Sequence, residues 1–282
     1  MKTAVVIGRG KRERALCQVL AARGFAVFTH PPEAGAGERG LEPMRWPEGA
    51  WIWAPLADIG ADGVVAASGP PVALTPEDFD RIGPDGVVVA GRVDPVVRGW
   101  AASSGVRVVA LRESEAFNWL NAVPTAEGAI RAAMGLDGRS LASRQVAVMG
   151  FGRVGTVLAL RLKGYGCATR VLDARPLARI QARALGLDAA GLIPAALHGV
   201  EVVFNTIPVP VVAPDWLAAL GGAWFLELAS PPGAVPPVLR PALRYRPLPN
   251  LPAEVAAEEA AQIVWDSTQL ALFEAIREPA SR

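Results

Sequence analysis

The chain has only two cysteines, Cys17 and Cys167. Two thiols are too few for a disulfide scaffold and argue against a zinc site. Each lies in a core-forming stretch, where cysteine behaves as a small buried hydrophobe. Histidine is as scarce, with His30 and His198 alone. Chemistry that polarises a carbonyl with an imidazole, as in D-2-hydroxyacid dehydrogenases, has only these two to draw on. Lysine is confined to Lys2, Lys11 and Lys163, so a catalytic lysine of the shikimate-enzyme kind reduces to Lys11. No apolar run reaches the roughly 18 residues that a membrane span needs. Charge of one sign is missing too: the formal net charge is +1. Nothing in that balance suggests the footprint of a nucleic-acid or acidic-lipid binder. The opening Met1-Lys2-Thr3-Ala4-Val5-Val6-Ile7-Gly8 reads as a buried strand rather than a signal peptide, so the expected location is the cytoplasm.

What is present is apolar material. The 282 residues are 51% hydrophobic and 20% charged, enough for two ordinary domains with real cores. The rhythm is a short apolar run, a glycine-rich turn, then a helical pattern. Ala4–Ile7, Val64–Ala67, Val87–Ala90 and Val106–Leu111 are strand-like and apolar on both faces, as parallel strands covered by helices are. Arg14–Leu20 has helical spacing. Residues 31–50 read as a long loop. The tryptophans Trp51, Trp53, Trp100, Trp119 and Trp265 read as core or interface.

A second series follows residue 120. Pro124 suits the first residue of a helix running to about 135. The strands Gln145–Met149, Ala168–Leu172, Glu201–Asn205, Ala223–Leu228 and Leu243–Arg246 come next, with helices at about 153–163 and 176–185. A long helix at about 253–277 ends the chain. The expected fold class is α/β, with two doubly wound parallel-sheet domains. The first, residues 1–121, is a flavodoxin- or Rossmann-like substrate domain. The second, 122–282, is a Rossmann dinucleotide-binding domain entered through the connector helix 124–135. The helix 253–277 either stays with it or packs on the first domain.

The chemistry is written most clearly at Gly150-Phe151-Gly152-Arg153-Val154-Gly155. This G-x-G-x-x-G follows a strand and opens a helix, the context that gives the motif meaning. Gly150 permits the tight turn, Gly152 the approach of a pyrophosphate, and Gly155 close helix–strand packing. The phosphates then meet free N–H groups at the helix N-terminus. Asp173 ends the next strand, where an acid grips the ribose hydroxyls of NAD. Arg175 is either a partner for the 2′-phosphate of NADP or a solvated helix-start residue. Asn205-Thr206-Ile207-Pro208 follows a further strand. It either lines the nicotinamide half of the cofactor or forms an ordinary turn. Ala229, in the segment 227–233 after the next strand, faces the same edge.

Taken together, several stretches resemble the A subunit of dipicolinate synthase. They are Asn121-Ala122-Val123-Pro124-Thr125-Ala126-Glu127-Gly128, the glycine motif, Ala174-Arg175, Phe204–Pro208 and Leu228-Ala229-Ser230 with Pro232-Gly233. The Pro-Thr-Ala-Glu-Gly stretch is the most specific. The resemblance is good over about residues 110–265 and loose before that, where Gly8 and Arg12 fit a Gly-Gly-Asp-x-Arg pattern but Arg9 and Gly10 depart from it. Asp173 replaces a family glycine, and Asn250–Ala261 loses two glycines and a basic residue.

The resemblance implies oxidation of a dihydrodipicolinate-type precursor to dipicolinate with NADP(H), in the mother cell of a spore-forming bacterium. Asp173 keeps NAD(H) open. It also implies a smaller, flavoprotein-like second subunit. The expected partners are that protein, a small dicarboxylate and further copies of the chain, with no nucleic acid, membrane or metal. A dicarboxylate needs cationic or N–H-rich anchors. Arg12 at a helix start, Ser68 after a strand, Arg92 and Glu127 are the candidates, and each has a structural alternative as a turn or helix-end residue. Two rivals are another NAD(P)-dependent dehydrogenase of small carboxylates and a nucleotide-binding subunit without turnover of its own.

Overall fold

The computed structural model describes residues 1–30, 39–40, 46–67 and 72–277. The chain divides into two compact units, Met1–Leu120 with Ala256–Arg282, and Asn121–Val255.

The first unit contains β1 (Thr3–Ile7), α1 (Lys11–Ala21), β2 (Ala26–His30), β3 (Arg39–Gly40), β4 (Trp51–Ala54), β5 (Val64–Val65), β6 (Val72–Ala73), α2 (Pro76–Ile82), β7 (Val87–Ala90), α3 (Pro95–Ser103) and β8 (Arg107–Ala110). Six of the strands form a parallel sheet in the order β3-β2-β1-β4-β7-β8. The sheet is covered on both faces. Ala4 and Val6 point into one apolar cluster, Val5 and Ile7 into the other. This is why its strands lack polar–apolar alternation.

One strand expectation changes here, and one strand was not expected. Val64–Ala67 does not join the parallel sheet; only Val64–Val65 is extended, paired antiparallel with Val72–Ala73. The central strand is instead Trp51–Ala54, beside β1. Its tryptophans disguise it as an aromatic patch. Both ring systems lie on the face that carries Phe25 and Trp265, with Trp53 and Trp265 stacked at 6.0 Å. Of the predicted loop 31–50, residues 31–38 and 41–45 lie outside the described residues.

The helix α4 (Glu115–Met134) starts nine residues earlier than predicted, and Pro124 lies inside it. Proline removes the N–H that would bond the carbonyl four residues back. Alanines at 122, 126, 129, 132 and 133 favour the helix on both sides. The hydroxyl of the next residue, Thr125, donates to the Asn121 carbonyl at 2.6 Å.

The second unit continues with β9 (Gln145–Met149), α5 (Arg153–Gly164), β10 (Ala168–Leu172), α6 (Pro176–Ala184), β11 (Asp188–Ala190), β12 (Val202–Asn205), α7 (Leu217–Leu220), β13 (Trp224–Glu227), β14 (Arg244–Pro247) and α8 (Leu251–Val255). Its parallel sheet runs β11-β10-β9-β12-β13-β14, the same order as the first. Both are doubly wound, with the order reversing beside the first strand of each.

The long C-terminal helix is two helices, because Ala256 separates α8 from α9 (Ala257–Arg277). That break is also where the chain passes from the second unit to the first. In the first unit α9 packs against α1: Arg23 donates to Gln262 at 2.9 Å, and its guanidinium lies 4.9 Å from the Trp265 ring. Among the described residues no helix is long and apolar enough to cross a membrane.

Candidate dinucleotide site

The glycine motif forms the turn between β9 and α5. Gly150 has φ +91°, open to glycine at little cost. A Cβ at Gly155 would run into the Gly150 carbonyl, so helix and turn close only around a hydrogen. Gly152 caps α5 and differs in kind, since nothing lies within 4 Å of its Cβ direction. The space a pyrophosphate needs at this helix end is therefore open, and the residues fit the group. Arg153 and Val154 form the first turn of α5, with Arg153 exposed and Val154 half-buried.

Asp173 follows β10 and is 5% exposed. Both carboxylate oxygens are committed. One accepts the backbone N–H of Phe151 at 2.8 Å and Arg175 Nη2 at 2.9 Å. The other accepts the Arg175 backbone N–H at 2.8 Å and its Nε at 3.1 Å. Burial pushes the Asp173 carboxyl up, but the bonds from Arg175 and Phe151 outweigh it and hold it below the usual aspartate range. Arg175 is raised in turn by the same carboxylate. Its side chain is 65% exposed, so the guanidinium is the charged group that this corner presents to solvent. Arg179 supports the turn by donating to the carbonyls of Asp173 and Ala174 at 2.9 and 2.7 Å.

On the other side of the turn, Thr206 donates through its hydroxyl to the Met149 carbonyl at 2.9 Å, and a Cβ at Gly150 would collide with it. Asn205 is fully buried. Its Oδ1 accepts from the Ile207 N–H at 3.1 Å, and its Nδ2 donates to the Ile207 carbonyl at 2.9 Å and to Glu227 at 2.5 Å. The Asn205 side chain thus shapes the loop from within. Ile207 is half-buried, and Pro208 and Val209 are exposed at the carboxyl edge. Ala229 is half-buried, and its N–H is taken by Glu227 at 3.1 Å.

The proposed substrate residues fare unequally. Arg12, second in α1, is 5% exposed. Its Nε has no hydrogen-bond partner among the described residues. Burial lowers the basicity of this guanidinium, Glu13 opposes that, and Arg112 adds to it. Arg112 was not singled out from sequence; it follows β8 and donates to the Leu56 carbonyl at 2.9 Å. Arg92 is exposed beyond the end of β7, where its backbone N–H reaches Asp58 at 2.9 Å. Ser68 lies outside the described residues. Glu127 is exposed on α4 and pairs with Arg161 at 3.8 Å, eight residues along α5 from Arg153. At 1.5 Å per residue that is about 12 Å from the helix N-terminus, so Glu127 flanks α5 rather than the glycine turn. His198 is exposed on the amino side of β12, the opposite edge from the turn. Glu227 opens the segment 227–233 that the sequence places at the crevice, but only Ala229 of that segment was singled out as a site residue. No group of three metal-ligating side chains occurs among the described residues.

Comparison with known proteins agrees with the motifs. No protein-family model matches the chain. The A subunit of dipicolinate synthase from Bacillus subtilis is 27% identical over 222 residues, 74% of this chain and 73% of that protein. The crystal structure of the same subunit from Bacillus halodurans superposes with a TM-score of 0.77 at 23% identity, covering 96% of this chain and 97% of that one. D-Lactate dehydrogenase from Escherichia coli shares the fold more distantly, with a TM-score of 0.52 at 15% identity over 100% of this chain and 98% of that one. The chain is therefore similar to the A subunit of dipicolinate synthase, and its fold is of the dehydrogenase type.

Proposed function

We propose that this protein is an NADP-dependent dehydrogenase of the dipicolinate synthase type, which oxidises a dihydrodipicolinate-type ring dicarboxylate to dipicolinate. The observation that carries the cofactor half is the open face of Gly152 at the start of α5, beside the sealed Asp173–Arg175 pair. A ribose 2′-hydroxyl could bond Asp173 only by displacing the Arg175 fork. A 2′-phosphate meets a guanidinium already held in place. The pair thus favours NADP over NAD, although the acid alone reads the other way.

The bound nicotinamide supplies the hydride acceptor. The chain's task is to hold the reactants, since an aromatic product already favours oxidation. In the second unit the α5 N-terminus holds the pyrophosphate, and Ile207 and Pro208 offer the apolar surface for the nicotinamide half. In the first unit Arg12, with Arg112 near enough to depress its basicity, is the anchor for a substrate carboxylate. A buried guanidinium with an unused donor binds such a group strongly. Similarity to one subunit of a synthase supports a second, different protein chain as partner, and by family resemblance the setting is the mother cell during sporulation.

The test is an absorbance assay on the purified chain. Fresh condensation product of aspartate semialdehyde and pyruvate is supplied with NADP or NAD, and dipicolinate and reduced cofactor are followed together. Equal amounts of both, faster with NADP, are expected. No product, even when the partner chain is supplied, would sink the synthase reading.

A further inference from the structure

One buried carboxylate ties together the two loops that follow β12 and β13. Glu227 is 5% exposed and ends β13. Its Oε1 accepts from Asn205 Nδ2 at 2.5 Å and from the Ala229 N–H at 3.1 Å. Its Oε2 accepts from the Ala234 N–H at 3.0 Å. Ala234 passes the connection on, because its carbonyl accepts the N–H groups of Val211 and Val212, each at 3.0 Å. Asn205 closes the ring by bonding both polar backbone atoms of Ile207. Gly233, at φ +76°, leaves no room for a Cβ against the Glu227 carboxylate.

We infer that Glu227 is the positioning residue for the nicotinamide half of the cofactor: it fixes the Asn205–Val212 and Leu228–Val235 loops as one wall. The inference rests on the dinucleotide reading above. All three groups around the carboxylate are donors, so an ionised acid is the side chain that satisfies them. Burial raises the Glu227 carboxyl above the usual glutamate range despite those bonds. The fold thus bears a cost to keep an acid here, as sites under functional constraint do. An apolar residue would fill the space without that cost, but would leave three buried donors unpaired.

The experiment compares Glu227→Gln with the unaltered full chain. Binding of NADP and of 2′-phospho-ADP-ribose, which lacks only the nicotinamide, is measured by titration calorimetry. Glutamine keeps the size but turns an NH2 group toward a donor. NADP is expected to bind at least about tenfold more weakly, which is the loss of one hydrogen bond to a charged group. The truncated ligand should bind within about twofold of the unaltered value, and Glu227→Asp should recover part of the NADP loss. An equal loss for both ligands, or no loss for either, overturns the assignment. If the unaltered chain binds neither, the dinucleotide reading falls and the assignment with it. Should Glu227→Gln fail to fold, amide exchange in the unaltered chain decides. Slower exchange at Ala229 and Ala234 with NADP than with the truncated ligand is expected, and equal slowing overturns the inference.

Discussion

The two units share a strand order and a strand–turn–helix opening, yet only one of the two turns is open. In the first unit Gly8 has φ +116° and donates to the His30 carbonyl at 2.9 Å; in the second, Gly150 has φ +91° and donates to the Leu172 carbonyl at 2.8 Å. The next glycine caps the helix in each, Gly10 before α1 and Gly152 before α5. They part at the third position, where Glu13 stands opposite Gly155. The Glu13 side chain folds back, its Cγ 3.1 Å from where a Gly8 Cβ would be and its carboxylate against Gly10. The helix end that would attract a phosphate is already covered by an anion. The residue after β2 is Pro31, where Asp173 follows β10. The same topology therefore ends in one covered turn and one open one, and a single side chain separates them.

The largest expected effect comes from moving the anion across. Gly152→Asp places a carboxylate in the open space before α5, as Glu13 does before α1. Nothing crowds that position and its φ is −91°, so the melting temperature should stay within a few degrees. Dinucleotide binding should fall more than about 100-fold, the cost of like charge in place of a phosphate–helix contact. A variant that still binds NADP would break the comparison.

Next is Arg175→Ala. It removes the fork on Asp173, so NADP binding should weaken by about 10- to 100-fold, the scale of charge-assisted hydrogen bonds. NAD binding should hold or improve as the carboxylate is uncovered. Unchanged NADP affinity in a titration would return Asp173 to the ribose and the preference to NAD.

In the first unit, Arg12→Met removes a buried charge while keeping much of the volume. KM for the dicarboxylate should rise about tenfold, with NADP affinity unchanged. An equal change in both constants would remove Arg12 from the substrate's contacts.

The smallest effect is in stability. The folded Asp173 carboxyl lies below its ordinary range, so its contribution is present above about pH 4 and is lost as pH falls through the lower folded value. Urea melts of the unaltered chain and Asp173→Asn should differ at pH 7 and converge toward pH 2. A difference independent of pH would show that the charge contributes nothing.

Sequence reading went furthest where a pattern is local. The glycine motif, the strands around it and α6 need only short-range periodicity and a turn, and the fold class follows from their repetition. It faltered where neighbours distant in sequence decide. Trp51–Ala54 is a strand because β1 and β7 flank it, and Val64–Ala67 failed to join the sheet although its composition is more strand-like. Pro124 marks a helix start in any local rule, but here the helix passes through it.

By itself the sequence determined the α/β alternation, the second glycine turn and the likeness to one subunit of dipicolinate synthase, because each is carried by residue types at fixed short spacing. Only the tertiary structure decided what the charged residues do. It turned Asp173 toward Arg175, laid Glu13 over its own helix end, set Glu127 beside Arg161 and brought Glu227 under two loops. A side chain's charge is legible in one letter, whereas its partner is settled by which strands lie side by side.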